Sequence, residues 1–343
     1  MDLHSNHESR KSGGRWPEGF DRIPDEDWLK KPVEESAMRY NKHGSNAFNK
    51  NWDPTIAQVL SVLDDEHIIL DYSCGTGLFT ERLFEYFSRP TRILNVDVSP
   101  KYLRVVADKF KLDDRVALRL QKRISENGQL QSLDDTIGEV LLNRGIDILT
   151  SANAVHLYPN LADTFASWNR VLRRGGLALV STGDMSNPKK RQGDWRLHDT
   201  VEVVHTIAQE IVKTEPLFEK YRHLIDDDSL MLAYKEIRSR VYPPIKPIDL
   251  YLDELSDAGL EPLHHFEEWI EISTTELIDA LVPYHDVVLG WIGGSEKVEG
   301  DPPTQEALRD RLFLMKYCAT KLYMQRDRLR GPWTYITCRK FRD

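Results

Sequence analysis

The fold of this 343-residue chain is decided by one stretch, Ile68-Ile69-Leu70-Asp71-Tyr72-Ser73-Cys74-Gly75-Thr76-Gly77-Leu78-Phe79-Thr80-Glu81-Arg82-Leu83. The apolar, partly β-branched run at its start predicts a buried strand that ends at an acid. Gly75 and Gly77 follow, where a missing side chain lets a ligand approach the backbone closely. Phe79 and Leu83 then share one helical face. A strand, a tight glycine turn and a helix start together present backbone N–H groups to a ligand.

Two common phosphate-binding fingerprints are incomplete in this stretch. The dinucleotide pattern G-x-G-x-x-G requires a glycine where this chain has Thr80. The Walker pattern requires a lysine after its last glycine, and none follows Gly77. A lone G-x-G also fits a plain structural turn, so the ligand has to be inferred from the rest of the chain.

Length and composition predict a soluble globular chain with either one main core and sizeable additions or two domains. The 46 basic and 55 acidic residues give a net charge of −9, which argues against a general polyanion binder. No apolar run approaches the length of a membrane span, and the N-terminus has no apolar signal core. Cys74, Cys318 and Cys338 are too few and too scattered for a disulfide framework or a zinc site. We therefore expect no metal, and a reducing cytoplasm as the location.

A second predicted strand begins at Arg92 and ends at Asp97, and Ser99-Pro100 then opens a helix. Asp97 follows Gly77 at about 20 residues, the spacing at which an acid accepts hydrogen bonds from the ribose hydroxyls of an adenosine. The glycines and this acid together indicate an adenosine ligand. They leave open which adenosine cofactor is bound.

Further strands are expected from alternating or continuous apolar runs. The predicted ranges are 115–121, 146–151, 177–181, 263–272 and 333–338. The polar loop Asn153-Ala154-Val155-His156 follows the fourth strand, and a helix and then Leu172-Arg173-Arg174-Gly175-Gly176-Leu177-Ala178-Leu179-Val180-Ser181 come next.

The order of these motifs resembles that of the class I S-adenosylmethionine (SAM)-dependent methyltransferases. The resemblance covers about residues 68–181. It implies an α/β fold with a Rossmann-like, seven-stranded, mostly parallel sheet and helices on both faces, plus a helical cap from the N-terminal segment and two insertions. It also implies transfer of a methyl group from SAM to a small organic acceptor at O, N, S or C.

The resemblance implies a set of cofactor-binding residues, namely Tyr40, Asp71, Cys74, Gly75, Gly77, Asp97, Val98 and Asn153. For Asp71 the alternative is a turn or helix-capping acid, and for Asp97 it is an acid that merely ends a strand. The acid that usually follows the third strand is missing here. Gln121 is the nearest side chain able to accept a hydrogen bond from the adenine amino group.

Candidates for chemistry at the acceptor are fewer. His156 is the titratable side chain that the loop after the fourth strand directs toward an acceptor, and its reference pKa suits a general base. An orienting role fits His156 as well. Tyr158, Trp195 and Trp291 are candidates for substrate contacts, and each tryptophan fits the protein core equally.

The domain organisation follows from these motifs. We expect a disordered tail (1–23), an N-terminal cap segment (24–63), a SAM-binding core (64–182), an insertion or lid (183–247) and the C-terminal part of the core (248–343) with a second insertion (273–330).

The insertions are expected to select a small-molecule substrate. The alternatives are a protein or RNA methyltransferase, of which RNA is disfavoured by the acidic charge, and a catalytically silent SAM-binding subunit. The sequence carries no signal for the oligomeric state.

Overall fold

A computed structural model describes residues 15–42, 47–87, 91–124, 129–186, 194–323, 326 and 328–341. Within these residues the strands are β1 (Ile68–Tyr72), β2 (Arg92–Asp97), β3 (Val116–Leu120), β4 (Ile146–Ala152), β5 (Leu172–Thr182), β6 (Met185–Ser186), β7 (Lys246–Pro247), β8 (Leu260–Ser273) and β9 (Arg328–Lys340).

Helices connect these strands and build the additions to the sheet. They are α1 (Asp27–Lys30), α2 (Glu35–Asn41), α3 (Asp53–Val62), α4 (Leu78–Tyr86), α5 (Pro100–Lys109), α6 (Leu133–Ile137), α7 (Glu139–Arg144), α8 (Leu161–Val171), α9 (Leu197–Thr214), α10 (Arg222–Ile225), α11 (Asp228–Val241), α12 (Ile248–Asp257), α13 (Thr274–Leu281), α14 (His285–Val288), α15 (Glu296–Glu299) and α16 (Gln305–Tyr323). Short 3₁₀ turns lie at Ala47–Trp52, Val155–Leu157, Pro216–Tyr221 and Val282–Tyr284.

Seven strands form one sheet in the order β3-β2-β1-β4-β5-β9-β8. The first five are parallel to one another, and β9 runs antiparallel to both β5 and β8. The predicted fold class, a mostly parallel seven-stranded sheet, is therefore confirmed. The two-residue strands β6 and β7 pair separately.

Helices cover both faces of the sheet, and the alternation of side chains along β1 explains how. Ile68 and Leu70 pack on the face covered by α6, α7, α8 and α12, whereas Ile69 packs on the face covered by α3 and α4. A strand buried on both faces must be apolar throughout. The continuous run of apolar residues before Asp71 meets that requirement.

The last two long strands extend beyond their predicted limits. The predicted ranges 263–272 and 333–338 covered only their apolar centres, but β8 and β9 pair from Leu260 with Lys340 to Ser273 with Arg328. The antiparallel ladder satisfies backbone groups in the charged ends as well as in the apolar middle, so pairing continues past the hydrophobic pattern.

Residues 15–23 differ from the predicted disordered tail. Trp16 donates its indole N–H to the carbonyl oxygen of Asp114 at 2.9 Å, and the Arg22 guanidinium donates to the carbonyl oxygens of Asp113 and Val116 at 2.7 Å. These contacts cover β3, the edge strand, whose open backbone groups favour such a partner. Residues 1–14 lie outside the described part of the chain.

The two insertions fold as a single helical lobe. Buried residues of α9 and of the segment Pro216–Tyr221 share one apolar core with buried residues of α14 and α16. Arg311 is fully buried inside this lobe and donates to the carbonyl oxygens of Gly290, Ile292 and Gly294. No helix among the described residues is both long and apolar enough to cross a membrane.

Candidate functional site

The turn after β1 is built from residues with left-handed backbone conformations. Ser73, Gly75 and Gly77 have φ angles of 61°, 55° and 74°. A Cβ atom on Gly77 would lie 3.2 Å from the Phe110 ring, so this glycine also allows α4 to pack against α5. A Cβ atom on Gly75 would lie 3.3 Å from the Tyr40 ring.

Asp97 joins the ends of β1 and β2. One of its carboxylate oxygens accepts the backbone N–H of Gly75 at 2.8 Å, and the other accepts that of Ser99 at 2.7 Å. Burial raises the pKa of Asp97 to about 6, and the hydrogen bonds from Ser99 and Gly75 oppose that rise. Each oxygen keeps a lone pair for a further donor. The carboxylate can therefore accept the ribose hydroxyls of an adenosine.

Asp71 lies at the same edge of the sheet and is 2% exposed. Its carboxylate accepts the Thr80 hydroxyl at 3.0 Å. Burial raises the pKa of Asp71 to about 7, the Thr80 hydrogen bond opposes the rise, and the nearby Asp97 adds to it. The N-cap residue of α4 is Gly77, so Asp71 is not the capping acid of this helix.

A cavity of about 1150 Å³ opens at the carboxyl ends of β1, β2, β4 and β5. Such a position is where open α/β sheets bind ligands. Most of the predicted site residues line it, namely Tyr40, Asp71, Cys74, Gly75, Asp97, Val98, Gln121, Asn153, His156 and Tyr158. Gly77 supports the turn from behind. Cys74 also packs in the apolar cluster of α5 and β3, and burial raises the pKa of its thiol.

Gln121 holds the end of the cavity where adenine is expected. Its side-chain oxygen accepts the Tyr72 hydroxyl at 3.0 Å, and its amide donates to the carbonyl oxygen of Gln131 at 2.8 Å. Both ends of this side chain are therefore engaged within the protein. Ile124, Leu130 and Leu133 line this region and give it apolar walls.

Asn153 and His156 lie at the opposite end of the cavity. Asn153 has a φ angle of 59°, donates to the Asn51 side chain and accepts the Trp333 indole N–H, both at 2.9 Å. The Nδ1 atom of His156 lies 2.9 Å from the Thr182 hydroxyl, and its Nε2 atom lies 3.8 Å from Oδ2 of Asp184. Burial lowers the pKa of His156, an effect that Asp184 opposes.

The hydrogen bonds around Thr182 favour one tautomer of His156. The hydroxyl oxygen of Thr182 accepts the backbone N–H of Asp184 at 3.1 Å. Its own hydrogen is then free to donate to Nδ1 of His156. When Thr182 donates in this way, the neutral ring carries its proton on Nε2, where the negative charge of Asp184 favours it.

Four of the tyrosines that line the cavity come from separate segments and form one aromatic group, of which the sequence predicted only Tyr40. Tyr40 stacks on Tyr102 with ring centroids 5.1 Å apart, and the edge of Tyr284 lies 6.4 Å from Tyr40. Tyr242 continues the group at 6.0 Å from Tyr284. Tyr242 and Tyr284 come from the two insertions, and no sequence motif marked them. Asp184 was also missed, although its place directly after a strand of the sheet is a usable signal.

Trp195 and Trp291 do not line the cavity, which corrects their prediction as substrate contacts. Trp195 is buried against Trp333 in a cluster beneath β8 and β9. Trp291 is buried in the core of the helical lobe, where its indole N–H donates to His205 at 3.3 Å. A large aromatic ring stabilises whichever core it is buried in, so its presence in an insertion does not indicate a pocket.

Tyr158 lines the cavity, but its hydroxyl is engaged inside the protein. It lies 2.8 Å from the Ser151 hydroxyl and 3.1 Å from the Ser73 hydroxyl. Tyr158 thus connects the ends of β1 and β4. Within the described residues no group of three or more His, Cys, Asp or Glu side chains is placed to hold a metal ion.

The central part of the chain matches a known protein family. Residues 70–180 match the family model described as a methyltransferase domain. No curated protein matches the chain in sequence.

Solved structures are similar to a larger part of the chain. One is the structure of a Haemonchus contortus phosphoethanolamine N-methyltransferase 2 in complex with phosphomonomethylethanolamine and S-adenosylhomocysteine. It is 14% identical to this chain, with a TM-score of 0.46. The alignment covers 92% of this chain and 59% of that one. The [4+2]-cyclase SpnF is 17% identical over 87% of this chain and 85% of that one, with a TM-score of 0.44.

Proposed function

Because residues 70–180 form a methyltransferase domain of the class I SAM-dependent superfamily, we propose that the chain transfers a methyl group from SAM to a small organic acceptor held in the same cavity. The observation that carries this proposal is the size of the cavity. Its volume of about 1150 Å³ exceeds the roughly 300–1,000 Å³ of pockets that hold one small ligand. Room therefore remains for an acceptor beside the cofactor.

The residues around the glycine turn fit SAM. SAM carries an ammonium group, a sulfonium and two ribose hydroxyls, and the cavity offers the buried carboxylates of Asp71 and Asp97. A Cβ atom on Gly75 would lie 3.3 Å from the Tyr40 ring, so the glycine lets this ring lie close to the turn. We assign Asp97 to the ribose, Asp71 to the methionine end, and Ile124, Leu130 and Leu133 to the adenine.

Such a transfer requires little covalent catalysis by the protein. SAM supplies a methyl group already activated on a sulfonium. The tyrosines and the helical lobe exclude water, and Asn153, fixed by Asn51 and Trp333, shapes the acceptor end. His156 is proposed to contribute by orienting the acceptor, since its hydrogen bonds favour the tautomer with the proton on Nε2.

A small acceptor fits better than a protein or RNA. The aromatic group lines the cavity with side chains from four segments, which favours a molecule that enters the cavity as a whole. The net charge of −9 also disfavours RNA. A cytoplasmic location is part of this proposal and is supported by Cys74, Cys318 and Cys338, which are free and buried.

The test begins with the purified protein. Mass spectrometry of material released by denaturation should detect bound SAM or S-adenosylhomocysteine, and calorimetry should measure saturable binding of both. Incubation with SAM and a panel of small metabolites should give products heavier by one methylene unit. Cofactor binding without any methylated product would favour a silent SAM-binding subunit, and absence of binding would overturn the proposal.

Asp97→Ala is the matched variant for this test. It should weaken SAM binding by about 1.5–3 kcal/mol, the scale of hydrogen bonds to a charged group. Asp257→Ala removes an exposed acid at the end of α12 and should leave SAM affinity unchanged. A loss below about twofold in Asp97→Ala would show that this carboxylate does not bind the ribose.

A further inference from the structure

Asp184 places a carboxylate at the acceptor end of the cavity that the proposed cofactor contacts do not use. It lies directly after β5 and Gly183, and only 3% of the residue is exposed. Its Oδ1 atom lies 3.5 Å from the backbone nitrogen of His198, at the limit of a hydrogen bond. Among the described residues, His156 is the basic side chain within 4.0 Å of this carboxylate.

His156 is a weak electrostatic partner for Asp184. The 3.8 Å separation is too long for a direct hydrogen bond, and burial keeps the imidazole neutral by lowering its pKa. Lys246 donates to the carbonyl oxygen of Tyr158 at 3.4 Å and forms no ion pair with Asp184 in the described part of the chain.

Two other buried acids of the cavity accept shorter hydrogen bonds than Asp184 does. Asp97 accepts two backbone N–H groups at 2.8 and 2.7 Å, and Asp71 accepts a threonine hydroxyl at 3.0 Å. A buried carboxylate is costly unless a donor or an opposite charge compensates it. Within the described residues Asp184 therefore has no comparably short hydrogen bond, and a cation from a ligand would compensate its charge.

The walls near Asp184 suit a cation as well. Tyr242 lies close enough to Asp184 for the carboxylate to help raise the pKa of its hydroxyl, after burial as the main cause. A Cβ atom on Gly183 would lie 2.6 Å from the Trp333 ring, so this indole packs directly against the backbone beside Asp184. Tyrosine and tryptophan rings attract cations in desolvated sites.

We infer that the methyl acceptor is an amine that enters the cavity as an ammonium ion and is bound by the Asp184 carboxylate between Tyr242 and Trp333. This inference rests on the proposed function and narrows its acceptor to one chemical class. In the reaction, the ammonium N–H proton passes to the Asp184 carboxylate, and the nitrogen lone pair forms the new N–C bond. The C–S bond breaks with its electron pair on sulfur, which leaves a neutral thioether.

A charged probe and its uncharged counterpart test the inference. Benzylamine is protonated at neutral pH, whereas benzyl alcohol has the same skeleton without the charge. Each is titrated into the wild-type protein saturated with S-adenosylhomocysteine, which blocks turnover. We expect benzylamine to bind at least tenfold more tightly. With SAM instead, mass spectrometry should detect N-methylbenzylamine.

Asp184→Asn removes the charge while keeping the shape of the side chain. It should weaken benzylamine binding by about ten- to a hundredfold and change the affinity for benzyl alcohol and S-adenosylhomocysteine by less than about threefold. Asp253→Asn removes an equal charge from an exposed position on α12 and should change none of the three. If the loss in Asp184→Asn fell on S-adenosylmethionine binding alone, Asp184 would be a partner of the sulfonium and the inference would be wrong.

The wild-type comparison stands even if the variant fails to fold. Equal binding of the two probes, including no binding of either, overturns the amine assignment. If S-adenosylhomocysteine still binds in that case, the proposed methyltransferase function remains and only the acceptor class is wrong. If S-adenosylhomocysteine does not bind, the proposed function itself fails.

Discussion

Asp71 shows at the scale of one residue how a ligand site is built at the expense of stability. The fold buries its carboxylate and raises its pKa from 3.8 to about 7. Because the folded state binds the Asp71 proton more tightly than the unfolded state does, proton binding stabilises the fold. This stabilisation is complete below pH 3.8 and is lost as the pH rises to about 7. At neutral pH the ligand-free protein therefore carries an unfavourable charge that a cationic ligand would relieve.

Asp71→Asn should remove this contribution to the pH dependence of stability. We expect the ligand-free variant to be more stable than the wild type by about 1–3 kcal/mol at pH 8, and the difference to shrink toward pH 5. SAM affinity should fall. Denaturant unfolding of both proteins at several pH values measures the difference, with Asp253→Asn as the exposed control. A stability difference that does not change with pH would contradict the assignment.

His156 is expected to orient the acceptor, because the arrangement in which Thr182 donates to Nδ1 puts the imidazole proton on Nε2. His156→Ala should lower turnover by about 10- to 100-fold through misplacement of the acceptor, with little change in SAM affinity. The acid limb of the pH–rate profile should persist. Loss of that limb together with a larger fall in turnover would identify His156 as the general base instead.

At the scale of elements, the apolar pattern predicted the strands that form the centre of the sheet. Ile68 to Leu70 and Ile148 to Leu149 are buried from both sides, and their apolar composition indicates strands. Asp97 could be predicted because its distance from Gly77 is fixed by one strand–helix–strand unit.

The missed features depend on contacts that no local pattern encodes. Tyr242 and Tyr284 meet in the cavity through the packing of two insertions, and their separation along the chain carries no period. Trp195 and Trp291 were misassigned for the same reason, since a single aromatic residue does not show which face it covers. Residues 15–23 are ordered by hydrogen bonds to β3, which a polar composition does not reveal.

Helix α2 brings Tyr40 over the glycine turn, and this element is expected to seal the cofactor end. The Tyr40 ring stacks on Tyr102, and the edge of the ring lies with the hydroxyl against Gly75. Tyr40→Ala should weaken S-adenosylhomocysteine binding by about tenfold, whereas Tyr40→Phe should stay within about twofold of the wild type. Calorimetry measures the affinity of the two variants for S-adenosylhomocysteine. Equal losses of affinity would show that the hydroxyl is the important group.

At the scale of the whole molecule, the sheet and the helical lobe contribute different residues to the cavity. The glycine turn, Asp71 and Asp97 belong to the sheet, whereas Tyr242 and Tyr284 belong to the lobe. Because the lobe combines both insertions in one core, removing either insertion alone would expose the buried face of the other. A change that loosens the lobe from inside is therefore a cleaner test of its role than a deletion.

Arg311→Met provides that change. The guanidinium is fully buried and donates to three carbonyl oxygens of the segment from Gly290 to Gly294, so its loss leaves buried acceptors without donors. We expect hydrogen exchange to become faster in α14 and α16 while the amides of β1 and β4 stay protected. Methyl transfer should fall strongly, and S-adenosylhomocysteine affinity should change by less than about threefold because the sheet residues that bind it are intact.

Arg309→Met alters an exposed arginine on the same helix and should affect neither property. Equal losses of binding and turnover in Arg311→Met would mean that the lobe is part of the cofactor site rather than the element that selects and encloses the acceptor.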